Sequence, residues 1–162
     1  MKSTVVGITV LLVVGAIALA GQARQGAQND PKTPVFWSAQ QLKDLSAQMA
    51  MRVSPQTHNT GQSLIASANV IYRNGNSGGE IHEKLSDFIF VHEGQGSILI
   101  GGKVIGGQQS APDEIRGDAV EGGTRYPIAA GDSIFIPAGM PHQFFVEDGK
   151  HFFITIVKVP PK

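Results

Sequence analysis

The sequence predicts an all-β domain, a sandwich or barrel of about eight short strands, entered through one short helix. Three observations carry this reading. Twenty glycines and nine prolines in 162 residues punctuate short apolar runs, as turns between strands do. Several runs are apolar without alternation, among them Phe88-Ile89-Phe90-Val91, Ile98-Leu99-Ile100 and Ile134-Phe135-Ile136, which a sheet covered on both faces would show. Beyond the apolar N-terminal run, only residues 38–51 carry helical periodicity.

Taken in order, residues 1–20 read as an export signal. Lys2 supplies the positive start, 13 of the 16 residues 5–20 are apolar, and Ala18-Leu19-Ala20 offers a small-x-small cleavage site. A transmembrane anchor is the weaker alternative, because a span needs ~20 apolar residues. Cleavage after Ala20 (or after Ala23) places the protein in a periplasmic or secreted compartment with no stable membrane anchor. Residues 21–37 form a flexible leader rich in Gln, Gly, Ala and Pro. Residues 38–62 hold the helix and a connector: Ser38 and Gln41 make a capping box, and Leu42, Leu45 and Met49 share one face. So short a helix is stable only if that face docks.

Residues 63–160 form the strand-rich domain. Strands are expected at 63–73, 80–85, 88–92, 97–100, 103–105, 124–128, 133–136, 142–146 and 151–159. The less regular segment 108–123 reads as a loop over one barrel end, and its Arg116-Gly117-Asp118 triplet as a turn. The outer face of the apolar strands needs a cover. The Leu42/Leu45/Met49 face could supply part and a second subunit the rest, as a homodimer.

Thirteen basic residues balance 13 acidic ones, and cysteine is absent. Charge neutrality excludes nucleic acid as a partner, and the missing cysteine excludes disulfides, thiolate metal sites and a thiol nucleophile. Histidine and carboxylate remain as strong metal ligands. In a strand at 80–85, Glu80, His82 and Lys84 would face one cavity, and Asp87 follows after a short reversal. His142 closes the frame Gly131-x5-Pro137-x-Gly139-x2-His142. Two histidines with one or two carboxylates can make a facial metal site; a metal-free, hydrogen-bonded cavity is the alternative. Lys84 either pairs with an anionic substrate or with Asp87 at the mouth, or is a solvated lysine. His58 reads as a loop residue, His92 as outer face, His151 as exposed, and Phe144, Phe152 and Phe153 as core. Arg73, Arg125 and Tyr126 are further candidates for the mouth.

The Gly131-to-His142 frame resembles the second cupin motif, G-x5-P-x-G-x2-H-x3-N, with Val146 where that motif has asparagine. Asp87-x6-Gly94 resembles the end of the first cupin motif, G-x5-H-x-H-x3/4-E-x6-G. That alignment sets His82 on its second histidine, Glu80 on its first and Asp87 on its glutamate. The resemblance covers about residues 63–159. It implies a cupin jelly-roll β-barrel with one short N-terminal helix, and a divalent metal (Fe, Mn, Zn or Ni) on His82, Asp87, His142 and Glu80. Glu80 would be a fourth ligand or a general base. Two carboxylates favour Mn(II) or Fe(II) somewhat, against the Irving–Williams pull toward Zn(II). Three functions follow as alternatives. The first is a metal-dependent dioxygenase, decarboxylase or isomerase acting on a small oxygenated molecule. The second is a non-catalytic barrel binding a small, sugar-like ligand. The third is a structural homodimer.

Overall fold

The computed structural model describes residues 34–54 and 59–160. The export segment of residues 1–20, most of the leader and His58 lie outside the described residues. Among the described residues no helix is long and apolar enough to cross a membrane.

Helix α1 spans Ala39–Ala50, and twelve strands follow: β1 (Asn59–Ile65), β2 (Ala68–Arg73), β3 (Gly79–His82), β4 (Ser86–Ile100), β5 (Lys103–Ile105), β6 (Gln108–Ala111), β7 (Glu114–Gly117), β8 (Ala119–Glu121), β9 (Thr124–Ala129), β10 (Ser133–Ile136), β11 (His142–Phe145) and β12 (Phe152–Val159). All pairings are antiparallel. One face is β1-β2-β12 continuing through the first half of β4 to β10. The other runs from β9 through the second half of β4 to β11, β3, β7 and β6. Strand β4 therefore belongs to both faces, and the curl of the barrel depends on how it bends.

The bend has a local cause. The register between β12 and β4 shifts from Phe153 opposite Glu93 to Ile154 opposite Val91, a bulge at His92. Gly94 follows with φ +78°, and a Cβ there would lie 1.9 Å from the His151 carbonyl oxygen. The bulge also switches side-chain parity, so Ile89 and Val91 before it and Ile98 after it all point into one core with Ile128, Phe144 and Phe152. Residues 88–92 and 97–100, expected as two strands, are thus one bent strand: Gly94 and Gly96 bend the chain rather than break it.

Other expectations change for similar reasons. Residues 63–73 form not one strand but the end of β1, a turn at Ala66-Ser67 and β2; no glycine, proline or asparagine marks that turn. The segment 108–123 is not a loop but strands β6, β7 and β8. Strand β6 is exposed along its whole length, so it carries no apolar alternation by which to read it. Arg116 and Gly117 lie in β7 rather than in a turn. His151 is half-buried and stacks on Tyr72 at 5.2 Å.

The helix forms as expected. Ser38 caps it, and the Ser38 and Gln41 side chains each take the other's backbone N–H. Its Met49 is fully buried with Val70 and Phe153, flanked by Leu42, Leu45, Leu64 and Tyr72, while Ser46 donates to Glu93 at 2.7 Å. The helix thus covers one part of the outer sheet face. Phe90 and Phe135 on the neighbouring part stay exposed, at 36% and 55%.

Two outcomes test this packing. Met49→Ala opens a cavity under the helix and lowers stability by about 2–4 kcal/mol in denaturant unfolding. Burial holds the His92 imidazole below its ordinary range, against the nearby Glu93 charge; its Nε2 lies 2.7 Å from Thr155 Oγ1. The unfolded chain therefore takes up a proton that the folded one resists. The contribution of His92 is complete above the ordinary imidazole value and is lost as pH falls through it. Unfolding midpoints at about pH 7 and pH 5 should show a shallower acid-side loss in His92→Gln than in wild type.

Candidate metal centre

Strand β3 sets Glu80 and His82 two residues apart and so on one side, facing inward. His142 opens β11 directly opposite Glu80. Asp87 is the second residue of β4. The two glycine-marked segments are joined by one backbone hydrogen bond: the Gly139 N–H donates to the His82 carbonyl at 2.8 Å. Gly139 has φ +77°, which makes the turn after Pro137 easy for glycine and costly for other residues. The Ala138 N–H donates to Ser86 Oγ at 3.1 Å. The turn that delivers His142 is thereby tied to the strand ends carrying His82 and Asp87.

The ligand atoms converge. His142 Nε2 lies 3.2 Å from Glu80 Oε1 and 3.8 Å from Asp87 Oδ2, and His82 Nε2 lies 3.3 Å from that same Asp87 Oδ2. The two imidazoles are 5.4 Å apart, centre to centre. Among the described residues, buried His142 Nε2 and Asp87 Oδ2 have no hydrogen-bond partner. The Met140 carbonyl lies 3.1 Å from His142 Nδ1. A carbonyl only accepts, so Nδ1 carries a proton and Nε2 is the nitrogen that faces the centre.

Each carboxylate gives its other oxygen to a cation. Arg116 Nη1 donates to Glu80 Oε2 at 2.9 Å, and Lys158 Nζ donates to Asp87 Oδ1. Burial would raise the Glu80 carboxyl, but His142, Arg116 and His82 outweigh it and hold it down at about 2. Burial would likewise raise Asp87, and His82 with Lys158 bring it below the usual carboxylate range. His142 runs the other way: burial would lower it, and the Glu80 contact, the Met140 carbonyl and Asp87 raise it. Both carboxylates are therefore ionised at neutral pH.

Glu80, His82 and His142 each offer a ligand atom within 4.8 Å of the others, a group that could hold a metal ion. Two ligands on one ion at ~2.0–2.2 Å each lie at most about 4.4 Å apart; the three ligand-atom separations given above fall inside that limit. Asp87 stands outside that group of three, with its unmet Oδ2 beside both imidazoles.

Lys84 does not share this face. The chain leaves β3 after His82, so strand parity no longer holds. The Lys84 ammonium pairs with Asp113 at 2.9 Å, not with Asp87, and is 71% exposed. It does line, with His82, Leu85 and Lys158, an opening of about 380 Å³. Glu83 is exposed, and Arg125 packs over the Phe145 ring at 3.6 Å. Two residues escaped the sequence reading. Lys158 is the lone charged residue in the mostly apolar run 152–159, which could have drawn notice. Arg116 was hidden in a triplet read as a turn.

No protein-family model matches the chain, and no curated protein sequence is similar to it. Solved structures are similar. The DMSP lyase DddQ from Ruegeria pomeroyi DSS-3 shares 18% identity at a TM-score of 0.51, over 80% of this chain and 66% of its own. A double-stranded β-helix protein from Klebsiella pneumoniae shares 14% identity at 0.49, over 79% and 91%. The polyketide cyclase RemF from Streptomyces resistomycificus shares 20% at 0.45, over 65% and 68%. This chain thus spans just under two thirds of DddQ. At these identities the likeness is one of fold: the chain has the cupin, or double-stranded β-helix, architecture.

The Asp87–Lys158 pair has a measurable signature. Lys158→Met leaves a buried carboxylate unpaired and lowers stability by about 2–4 kcal/mol. Adding Asp87→Asn should restore most of that loss in a double-mutant cycle read by urea unfolding. A double variant no more stable than Lys158→Met would mean that the two groups are not coupled.

Proposed function

We propose that this chain is an exported single-domain cupin that binds one divalent metal on Glu80, His82, Asp87 and His142 and uses it to hold or transform a small oxygenated molecule. The observation that carries this is the division of labour within the site. Each carboxylate turns one oxygen to a cation and the other inward, Glu80 toward His142 and Asp87 toward both histidines, where His142 Nε2 and Asp87 Oδ2 are unmet. Ligating carboxylates held by outer partners, and a ligating histidine oriented through its second nitrogen, are how proteins build metal sites.

A bound ion would act as a Lewis acid on a substrate oxygen at its open positions. The residues of the chain do the rest. Arg116 and Lys158 keep Glu80 and Asp87 ionised and in place, and the Met140 carbonyl fixes the tautomer of His142. A carboxyl held at about 2 is a weak base near neutrality, so we assign Glu80 to ligation rather than proton transfer. Two imidazoles with two carboxylates suit Mn(II) or Fe(II), with Zn(II) and Ni(II) as competitors. The reaction class stays open among dioxygenase, decarboxylase and isomerase, since one fold hosts many chemistries. The apolar character and charge of residues 1–20 support export, and the exposed Phe90 and Phe135 support a homodimer.

A metal-free ligand-binding barrel is the second reading, favoured by the fact that Arg116 and Lys158 already neutralise both carboxylates. Metal analysis separates the two. Protein from its native compartment, or reconstituted with Fe, Mn, Ni and Zn in turn, should carry about one equivalent of metal. His82→Ala and His142→Ala should lose it. Wild-type protein that takes up none of the four metals would contradict the metal reading and leave the second.

A further inference from the structure

The barrel interior holds a third cation that the metal site does not use. Arg73 is the last residue of β2. Val70 and Tyr72 pack on the helix side, so by strand parity Ile71 and Arg73 point into the barrel, and Ile71 packs against its core. Arg73 is only 6% exposed. Its guanidinium carbon sits 5.4 Å over the Phe144 ring, and that ring meets His142 edge-on at 6.1 Å. Phe144 thus touches both Arg73 and His142 of the candidate metal centre. Arg73 Nε and Nη1 have no hydrogen-bond acceptor among the described residues.

A guanidinium stays ionised in any protein interior, and burying it with donors unmet is costly. Glu80 is near enough to act on its charge, but both Glu80 oxygens already face His142 and Arg116. Around the site, Arg73, Arg116 and Lys158 balance Glu80, Asp87 and Glu114, the last paired with Arg116, and a divalent ion would leave two positive charges in excess. An interior of this sign, with open N–H donors, is complementary to an anion.

We propose that Arg73 is the anion-recognition residue of the barrel and that the small molecule bound there is a carboxylate. Its carboxylate accepts from Arg73, a contact that does not rest on the metal reading. A carboxylate fits better than a phosphate because a single guanidinium faces this part of the interior, on an aromatic ring, whereas a dianion would call on more donors.

The test uses full-length protein with its metal content measured on each sample. Propanoate and propanamide, lactate and lactamide, and inorganic phosphate are titrated calorimetrically into metal-loaded and chelator-treated wild type, Arg73→Gln and Arg73→Lys. Wild type should bind at least one acid ten-fold or more tighter than its amide, and tighter than phosphate. Arg73→Gln should lose that preference in the chelator-treated protein and weaken acid binding about ten-fold in the loaded protein, with metal content unchanged. Acid preference and Arg73 dependence in a wild type that takes up none of Fe, Mn, Ni and Zn would sink the metal reading and keep this one. Equal affinity of wild type and Arg73→Gln for the acids, with metal retained, would overturn this proposal and keep the metal reading. Preference for phosphate would overturn the choice of carboxylate. If Arg73→Gln does not fold, Arg73→Lys decides: acid binding weakened three-fold or more supports the assignment, and unchanged binding overturns it.

Discussion

Buried charge is the constraint on which the rest of this structure depends. Glu80 and Asp87 sit inside a small barrel with 7% and 1% of their surfaces exposed, where an isolated carboxylate would take a proton instead of staying charged. Each remains ionised because a neighbouring histidine and a cation from another strand together outweigh burial, His142 with Arg116 on β7 for Glu80 and His82 with Lys158 on β12 for Asp87. Those contacts also orient the carboxylates. One oxygen is taken, so the other must face the middle of the barrel, where His82 and His142 present Nε2.

The scaffold delivers these groups through two backbone devices. The bulge at His92 and the bend at Gly94 let β4 serve both sheets, so that Asp87 and the strand partners of His142 lie on one continuous strand. The Gly139 N–H, donating to the His82 carbonyl, ties the turn before β11 to the end of β3. With these in place, Glu80, His82 and His142 bring ligand atoms within 4.8 Å of one another, Asp87 lies beside the two histidines, and none of the four lies on a long loop. Sites held on strands keep their geometry better than sites held on loops.

Much of this was legible in the chain itself, for reasons particular to each residue. The Gly131–Pro137–Gly139–His142 spacing announces a turn that only glycine enters easily and a histidine just after it, and the structure has that turn and that histidine. Ser38 and Gln41 announce a capping box because both halves of it are local. Asp87 was visible only through its motif, since the chain reverses at Leu85-Ser86. Arg116 and Lys158 were missed because an ion pair across 71 residues, as in Asp87–Lys158, leaves no local periodicity. Strands β6 and β7 were missed because the polar sequence of an exposed hairpin looks like a loop. Lys84 was grouped with Glu80 and His82 by strand parity that ends one residue after His82.

The central claim is that His82, Asp87, His142 and Glu80 share one metal ion. X-ray absorption spectroscopy on the metal-loaded protein tests it most directly. The account requires a first shell of light donors at ~2.0–2.2 Å that includes two imidazoles, seen through their outer-ring scattering. It also requires that the imidazole scattering drop to one ring in His82→Ala or His142→Ala protein forced to take metal. A shell of oxygen alone, or imidazole scattering unchanged by both substitutions, would place the ion elsewhere and contradict the account.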